Sequence, residues 1–391
     1  MKILFVSNLF PDAANPQRGI YNARLVKHLG ALCELRVVSP RPTRGLAPFW
    51  SPKEFFARVE DAAFAPTFPP TAYFPKIGGW NHKLMARSLR GVLRQVRAKF
   101  PFDVALASWV YPDACAIARL AREMDFPFVA IAQGSDVHQY LEMPGRRRVI
   151  VASLAGARAV ITRSAELGRL LAGAGVASEK LHTIYNGVEQ EVFKPGDKSA
   201  ARAALGLARD ETVLLYVGNL LPIKNPLLLV RSFAELNRTQ PDKKFRLAMV
   251  GNGPLRTEIA RQAMLAGLGD KIVLAGLKAP AEIARLMQAA DVLCVPSDNE
   301  GVPNVIYEAL SCGLRVVATR VGGIPEIVRE DFLGRLVAAG NAAGLAQATA
   351  EICGQPAQTE LIVNFARQFS WEQTAATHLR LLAGATSKAT D

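Results

Sequence analysis

The residues best suited to chemistry are one lysine, Lys224, and two carboxylates eight positions apart, Glu300 and Glu308. Lys224 lies in Gly218-Asn219-Leu220-Leu221-Pro222-Ile223-Lys224-Asn225-Pro226, directly after the apolar run Val213 to Val217. Asn225 can cap a helix and Pro226 suits its first position. Lys224 therefore stands beside a helix start, where free N–H groups and the helix dipole favour an anion. A phosphate site is one reading and a solvated surface lysine is the other; a single lysine does not decide between them.

The second block runs Ser297-Asp298-Asn299-Glu300-Gly301-Val302-Pro303-Asn304-Val305-Ile306-Tyr307-Glu308-Ala309-Leu310-Ser311-Cys312-Gly313. It follows a strand pattern, places Pro303 in a first helical turn and stops at Gly313. Val305, Ile306, Tyr307, Ala309 and Leu310 leave the helix apolar nearly all round, which predicts burial. Glu308 then needs a polar partner, a ligand hydroxyl or a neighbouring arginine. One helix containing both carboxylates would hold them about 12 Å apart, beyond the roughly 5–9.5 Å over which paired carboxylates flank one glycosidic bond. They are expected to grip different parts of one extended ligand, with Gly301 allowing close backbone approach between them. Gly251-Asn252-Gly253-Pro254 and Gly322-Gly323-Ile324-Pro325-Glu326 are further candidate helix openings, and neither is a complete dinucleotide fingerprint.

Such loops need a scaffold that presents them together. Short apolar β-rich runs alternate with helical patterns through most of the 391 residues, as in βαβ units whose parallel sheet is buried on both faces. Strands are expected near 2–7, 34–39, 103–108, 127–132, 159–162 and 181–184, then near 213–217, 245–250, 272–274, 292–295 and 316–318. The fold class is α/β, with two doubly wound Rossmann-like domains that bind ligands at strand carboxyl ends. Strand pattern yields to Gly, Pro and charge between Asn186 and Asp197, dividing a domain at 1–188 from one at 189–370. A helical pattern at about 371–385 is expected to pack back on the first domain. Residues 41–80, rich in Pro, Phe and Trp, read as a long, partly apolar loop.

Half the residues are apolar and 21% are charged, which excludes a mainly disordered, collagenous or disulfide-scaffold chain. Cysteines 33, 115, 294, 312 and 353 form no Cys-x-x-Cys pair, so neither a zinc site nor a disulfide framework is expected. No apolar run is long enough to span a bilayer, and a cytoplasmic location is expected, with the inner face of the membrane within reach. The net charge of +13 is uneven: residues 1–188 hold 25 Lys+Arg against 13 Asp+Glu, and residues 189–391 hold 22 against 21. Lys83, Arg87, Arg90, Arg94 and Arg97 recur on one helical face, with Met85, Leu89, Val92, Leu93 and Val96 on another. That helix can pack its apolar side on a sheet or lie on anionic lipid. Arg146-Arg147-Arg148 and the aromatics Phe49, Trp50, Phe55 and Phe56 favour the lipid reading and equally suit an anionic glycan. No nucleic-acid motif accompanies the charge, and no nucleic-acid partner is expected.

Taken together, these motifs resemble those of the retaining family-four glycosyltransferases of GT-B fold. The resemblance runs through Gly218-Asn219 to Lys224, Gly251-Asn252-Gly253-Pro254, the Glu300 to Glu308 block and Gly322-Gly323-Ile324-Pro325-Glu326. Upstream it continues in Gly134-Ser135-Asp136-Val137, Thr162-Arg163-Ser164 and Asn186-Gly187-Val188. It implies two facing Rossmann-like domains, the second holding a nucleotide-sugar donor and the first an acceptor. Lys224 would contact the donor diphosphate, Glu300 the transferred sugar and Glu308 the ribose. Gly218, Asn219, Gly251 and Gly253 would line the donor site, and backbone at Gly301, Val302, Pro303, Asn304 and Val305 would meet sugar and phosphate. Gly19 would belong to a glycine loop facing the diphosphate, and Gln133 and Asp136 would contact acceptor or sugar. The implied chemistry is metal-independent transfer with retention, without a cofactor, from a nucleotide diphosphate sugar, a UDP-sugar being the donor expected. The implied acceptor is a glycan or lipid-linked molecule of cell-surface polysaccharide synthesis. Two positions depart from the family pattern: Asn219 stands where an arginine is usual and Gln133 where a histidine is usual. Both departures resemble a teichuronic-acid or exopolysaccharide subgroup, and both also suit a noncatalytic glycan-binding or scaffolding protein.

Overall fold

The computed structural model describes residues 1–16, 18–44, 64, 66–74 and 78–386. Phe49, Trp50, Phe55 and Phe56 lie outside the described residues. Two compact units form, one of Met1–Asn186 with Trp371–Asp391 and the other of Gly187–Ser370.

The first unit holds strands β1 (Lys2–Val6), β2 (Glu34–Val38), β3 (Arg41–Arg44), β4 (Pro70–Tyr73), β5 (Val104–Ser108), β6 (Phe128–Ala132), β7 (Ala159–Thr162) and β8 (Leu181–Thr183). Its helices are α1 (Ile20–Gly30), α2 (Asn81–Lys99), α3 (Cys115–Met124), α4 (Ser135–Leu141), α5 (Pro144–Ala155) and α6 (Ala165–Ala174). A six-stranded parallel sheet runs in the order β2-β1-β5-β6-β7-β8. All five residues of β5 and of β6 are buried, which explains why these strands read as continuous apolar runs. The segment expected to be a loop instead contains β3 and β4, which pair with each other. Prolines and arginines in Arg41-Pro42-Thr43-Arg44 and Pro70 hide that pairing from a β-propensity pattern.

The basic helix α2 takes the first of its two readings on its apolar side. Met85, Leu89 and Leu93 are fully buried in the core, so that face is not available to a lipid surface.

The second unit holds β9 (Glu211–Val217), β10 (Lys244–Val250), β11 (Ile272–Gly276), β12 (Val292–Val295), β13 (Val316–Thr319) and β14 (Gly334–Val337), with sheet order β11-β10-β9-β12-β13-β14. Helices α7 (Lys198–Ala204), α8 (Pro226–Thr239), α9 (Arg256–Leu265), α10 (Pro280–Ala289), α11 (Asn304–Ser311), α12 (Ile324–Ile327), α13 (Ala342–Cys353) and α14 (Thr359–Ala366) accompany it. β14 escapes the sequence pattern because it opens on Gly334, where a Cβ would stand 1.8 Å from the Val316 carbonyl oxygen. The last helix, α15 (Trp371–Thr386), belongs to the first unit. Trp371 is fully buried, and His28 stacks on it at 6.2 Å. His378, also fully buried, meets the Arg163 guanidinium at 3.2 Å and the Thr374 carbonyl at 2.7 Å. Burial first, and the Arg163 charge second, hold this imidazole neutral with its pKa lowered to about 3.

Candidate functional site

In the second unit the loops after β9, β10, β12 and β13 converge. Asn225 has φ 42° and its side chain accepts from Leu228 N, capping α8, with Pro226 next. Lys224 ends the short turn Pro222–Lys224 just before the cap. Asp298 N donates to the Ile223 carbonyl at 2.9 Å, and Asn225 Nδ2 donates to Asp298 Oδ1 at 2.9 Å. These two bonds stitch the β9 loop to the β12 loop, and Lys224 Nζ donates to Glu300 Oε1. The Ser297 hydroxyl donates to the same oxygen at 2.8 Å. Glu300 has a side chain only 9% exposed, against 29% for Lys224. An ammonium has three donors, so its bond to Glu300 leaves capacity for an anion at the open side.

Close backbone approaches at glycines set the packing of these loops. A Cβ on Gly251 would stand 1.9 Å from the Gly218 carbonyl oxygen, and one on Gly253 would stand 2.5 Å from that of Leu220. Gly322, at φ +52°, would meet the Glu300 carbonyl oxygen at 1.6 Å, and Gly323 N donates to the Gly301 carbonyl at 2.8 Å. Gly251 and Gly253 thus let the β10 loop lie on the β9 loop, and Gly322 supports Glu300 from behind. Tyr216 donates to the Asn219 carbonyl at 2.9 Å. Burial, then the Glu300 charge, push its phenol pKa up, so it remains a donor. The Asn219 side chain itself is exposed.

Helix α11 begins at Asn304, with Pro303 in the cap position rather than in the first turn. Glu300 therefore precedes the helix, and the 12 Å separation expected from one helix carrying both carboxylates does not apply. Gly301, Val302, Pro303, Asn304 and Val305 are all half-buried and lead into the α11 start, whose first N–H groups lack helical acceptors. Glu308 is buried at 8% exposure on this helix and is already engaged by neighbours. Among the described residues, no cluster of three or more His, Cys, Asp or Glu could hold a metal ion.

In the first unit the ends of β1, β5 and β6 carry a polar network. Gln133 Nε2 donates to Ser108 Oγ at 2.7 Å and to Asn22 Oδ1 at 3.0 Å, and Ser108 Oγ donates to Asn22 Oδ1 at 2.9 Å. Asn22 Nδ2 donates to the Leu9 carbonyl at 2.7 Å. Gly19, at φ +64°, caps α1, where a Cβ would stand 2.2 Å from that same Leu9 oxygen. Asp136 is not free to touch a ligand. It is fully buried, and its carboxylate accepts from the backbone N–H groups of Val110, Gln133 and Gly134 at 2.7–3.0 Å. Its expected role as a contact is corrected to that of a positioning residue. Burial, opposed by those three bonds, raises its pKa.

The sequence pattern missed Ser297 and Tyr216 in one unit and Asn8, Asn22, Ser108 and Asp113 in the other. Asp113, fully buried, accepts from Asn8 N and Asn8 Nδ2 at 2.5 Å each. Burial raises its pKa to about 7 against those two bonds, and the charge of Asp136 adds to the rise. A Pro-Asp pair in the segment after a strand end was the available signal for it.

Residues 19–192 match the family model described as Glycosyltransferase Family 4, and residues 197–369 match that described as Glycosyl transferases group 1. The chain is 34% identical over 283 residues to a D-inositol 3-phosphate glycosyltransferase of Acidothermus cellulolyticus, a match covering 69% of this chain and 61% of the relative. The chain thus spans less than two thirds of that relative's length. Among solved structures, Anabaena HepE in complex with UDP superposes with a TM-score of 0.78 at 21% identity, covering 98% of this chain and 100% of that one. Sucrose-phosphate synthase from Thermosynechococcus elongatus superposes with a TM-score of 0.75 at 21% identity, covering 98% of each chain.

Proposed function

We propose that this chain, which has the GT-B fold of the group 1 and family 4 glycosyl transferases, moves a sugar from a nucleotide diphosphate donor to a hydroxylated acceptor with retention. The observation that carries the reading is the Lys224–Glu300 contact, held on two stitched strand-end loops. Cleaving a sugar–phosphate bond leaves negative charge on the diphosphate and positive character on the sugar. Lys224 and the α11 N-terminus suit the first, because fixed donors there stabilise charge as it develops. Glu300 suits the second, and its bonds from Lys224 and Ser297 fix its position before the donor arrives. Retention is assigned to front-face attack, with the donor phosphate taking the acceptor proton.

The donor is assigned as a UDP-sugar, in keeping with the UDP held by Anabaena HepE. Glu308 is assigned to the ribose, and Gly19 and Gln133 to the acceptor side, with Asp136 positioning the latter. For the acceptor, a glycan or lipid-linked molecule of cell-surface polysaccharide synthesis is the first reading. An inositol phosphate is the second, favoured by the likeness to D-inositol 3-phosphate glycosyltransferases. Contact with an anionic membrane and a cytoplasmic location complete the reading; among the described residues no helix is long and apolar enough to cross a membrane.

A donor panel tests it. The protein is incubated with UDP-, GDP- and ADP-sugars, with and without acceptors, and nucleotide release and products are followed by mass spectrometry. Binding to no donor sinks the proposal. Glu300→Ala should lose transfer while keeping nucleotide affinity, and robust turnover abolished by Lys224→Ala would exclude a noncatalytic glycan-binding role.

A further inference from the structure

Beside Gln133, the first unit holds one bulky residue in a backbone conformation that disfavours it. β5 and β6 pair Ser108 with Ile131, and Trp109 N donates to the Ile131 carbonyl at 3.0 Å. Trp109 therefore leaves the sheet alongside Ala132 and Gln133. Its φ is 97° and its ψ 114°, which glycine adopts freely and a residue with a Cβ does not. Among the described residues the other non-glycine positive φ values belong to Asp125 and Asn225, types that tolerate such turns through their short polar side chains.

The strain is fixed from both sides. The Trp109 carbonyl accepts from Ala114 N at 3.0 Å, and Val110 N donates to Asp136 at 2.7 Å. Asp113, four residues on, is gripped by Asn8. Because Asp136 also takes the Gln133 and Gly134 N–H groups, one buried carboxylate sets both strand-end turns. Strain maintained so firmly at a strand end points to a function for the side chain. Trp109 is half-buried, and its indole makes no hydrogen bond or ring contact among the described residues. Trp371, by contrast, is fully buried and fills core. Gln133 uses its Nε2 on Ser108 and Asn22, which leaves its Oε1 as an acceptor at the neighbouring strand end.

Resting on the transferase reading, we propose that Trp109 is the stacking platform of the acceptor subsite. It holds the C–H face of a six-membered polyhydroxylated ring while Gln133 Oε1 accepts one of its hydroxyls. An aromatic face with a few placed polar groups is what orients such a ring. Pyranoses and cyclitols share this chemistry, and the probes below separate them.

The full chain is titrated with glucose, galactose, mannose and myo-inositol while its tryptophan emission is followed. At least one probe should change the emission saturably, and Trp109→Phe should abolish that change. Trp109→Gly, which suits the backbone, should keep or raise the thermal midpoint and keep UDP affinity. It should weaken binding of the same ring, measured calorimetrically, by about tenfold. A midpoint several degrees lower in Trp109→Gly would make the indole a core filler and overturn the proposal. Silence of the wild-type emission to all four probes, or ring affinity unaltered in Trp109→Gly, would overturn it too. A chain that binds a ring at Trp109 yet turns over no nucleotide sugar would leave this subsite standing while the transferase reading falls. Transfer with an acceptor KM unaltered in Trp109→Gly would do the reverse.

Discussion

Replacing Gly322 with alanine should damage the second unit far more than replacing Gly276, although both glycines lie in left-handed backbone at φ +52° and +70°. The conformational cost is common to both, about 1 kcal/mol for adding a Cβ there. The surroundings differ. A Cβ on Gly276 meets nothing within 4 Å, whereas one on Gly322 lands 1.6 Å from the Glu300 carbonyl oxygen and 2.7 Å from its carbon. No rotamer relieves a clash with backbone, so the Glu300 loop must move by more than about 1 Å, an overpacking cost of about 1–3 kcal/mol or more. The totals are about 2–4 kcal/mol or more for Gly322→Ala and about 1 kcal/mol for Gly276→Ala. At about 2–4 °C per kcal/mol for a unit of this size, the midpoints should fall by about 10 °C and about 3 °C. Scanning calorimetry of the two variants measures this directly. Sugar transfer at a temperature where both are folded should also drop more in Gly322→Ala, because the displaced loop carries the Lys224 and Ser297 bonds to Glu300. Equal midpoints, or equal residual transfer, would refute the reasoning that Gly322 sets the position of Glu300.

Lys224→Ala should lower turnover by about 100-fold or more, the usual size for one preorganised donor on developing charge, and a steady-state assay with the best donor checks it. Asn219→Arg adds the cation usual in the resembled family and should tighten nucleotide binding at low salt, with the gain fading at high ionic strength; calorimetric titration at two salt concentrations is the measurement. For pH, His378 has a folded pKa of about 3 against an ordinary 6.5. The unfolded chain alone takes up that proton below pH 6.5, so wild-type stability relative to His378→Gln should fall as pH drops, by about 1.4 kcal/mol per unit. Asp113, with its pKa raised from 3.8 to about 7, has the opposite sign: relative to Asp113→Asn, wild type should gain stability as pH falls from 7 towards 4. Urea titrations across pH 4–7 test both slopes.

What the sequence disclosed and what it hid divide along a physical line. Parallel strands buried on both faces announce themselves as apolar runs, and a cap such as Asn225-Pro226 announces a helix start; both are local. The stitch between the β9 and β12 loops is not local, because Asn225 and Asp298 lie 73 residues apart. Nothing in the spacing of Glu300 and Glu308 revealed that Pro303 would cap the helix between them. Asp136 shows the same limit: the resemblance implied a contact with acceptor or sugar, and only the fold shows three N–H groups converging on its buried carboxylate. The left-handed φ of Trp109 has no sequence signal at all, since the pattern for such a turn is glycine or asparagine.

The uneven charge of the chain invites an anionic partner, and the fate of individual guanidinium groups narrows that invitation. Arg41 is buried against the Asn8 and Phe10 carbonyls, the Ser39 hydroxyl and Asp12, and burial lowers its pKa to about 10 despite Asp12. On α2, Arg90 pairs with Glu123 through two bonds, and Arg97 donates to the carbonyls of Met124 and Asp125 at the end of α3. Arg163 is buried against Ile184 and His378. Arg41 and Arg163 are closed off inside the fold, whereas Arg90 and Arg97 tie α2 to the end of α3 at the surface, where an anion would have to compete with Glu123 and with two carbonyls. Of the α2 stripe, Lys83, Arg87 and Arg94 are exposed, and Lys83 already lies over Trp80 at 5.2 Å. An amphipathic helix binds lipid by burying its apolar face and by attracting charge; here the first means is consumed by the core and the second is reduced to a few side chains. Part of the positive excess is therefore committed to the first unit's own packing, and what α2 still offers an anionic surface is the charge of Lys83, Arg87 and Arg94 without its apolar face.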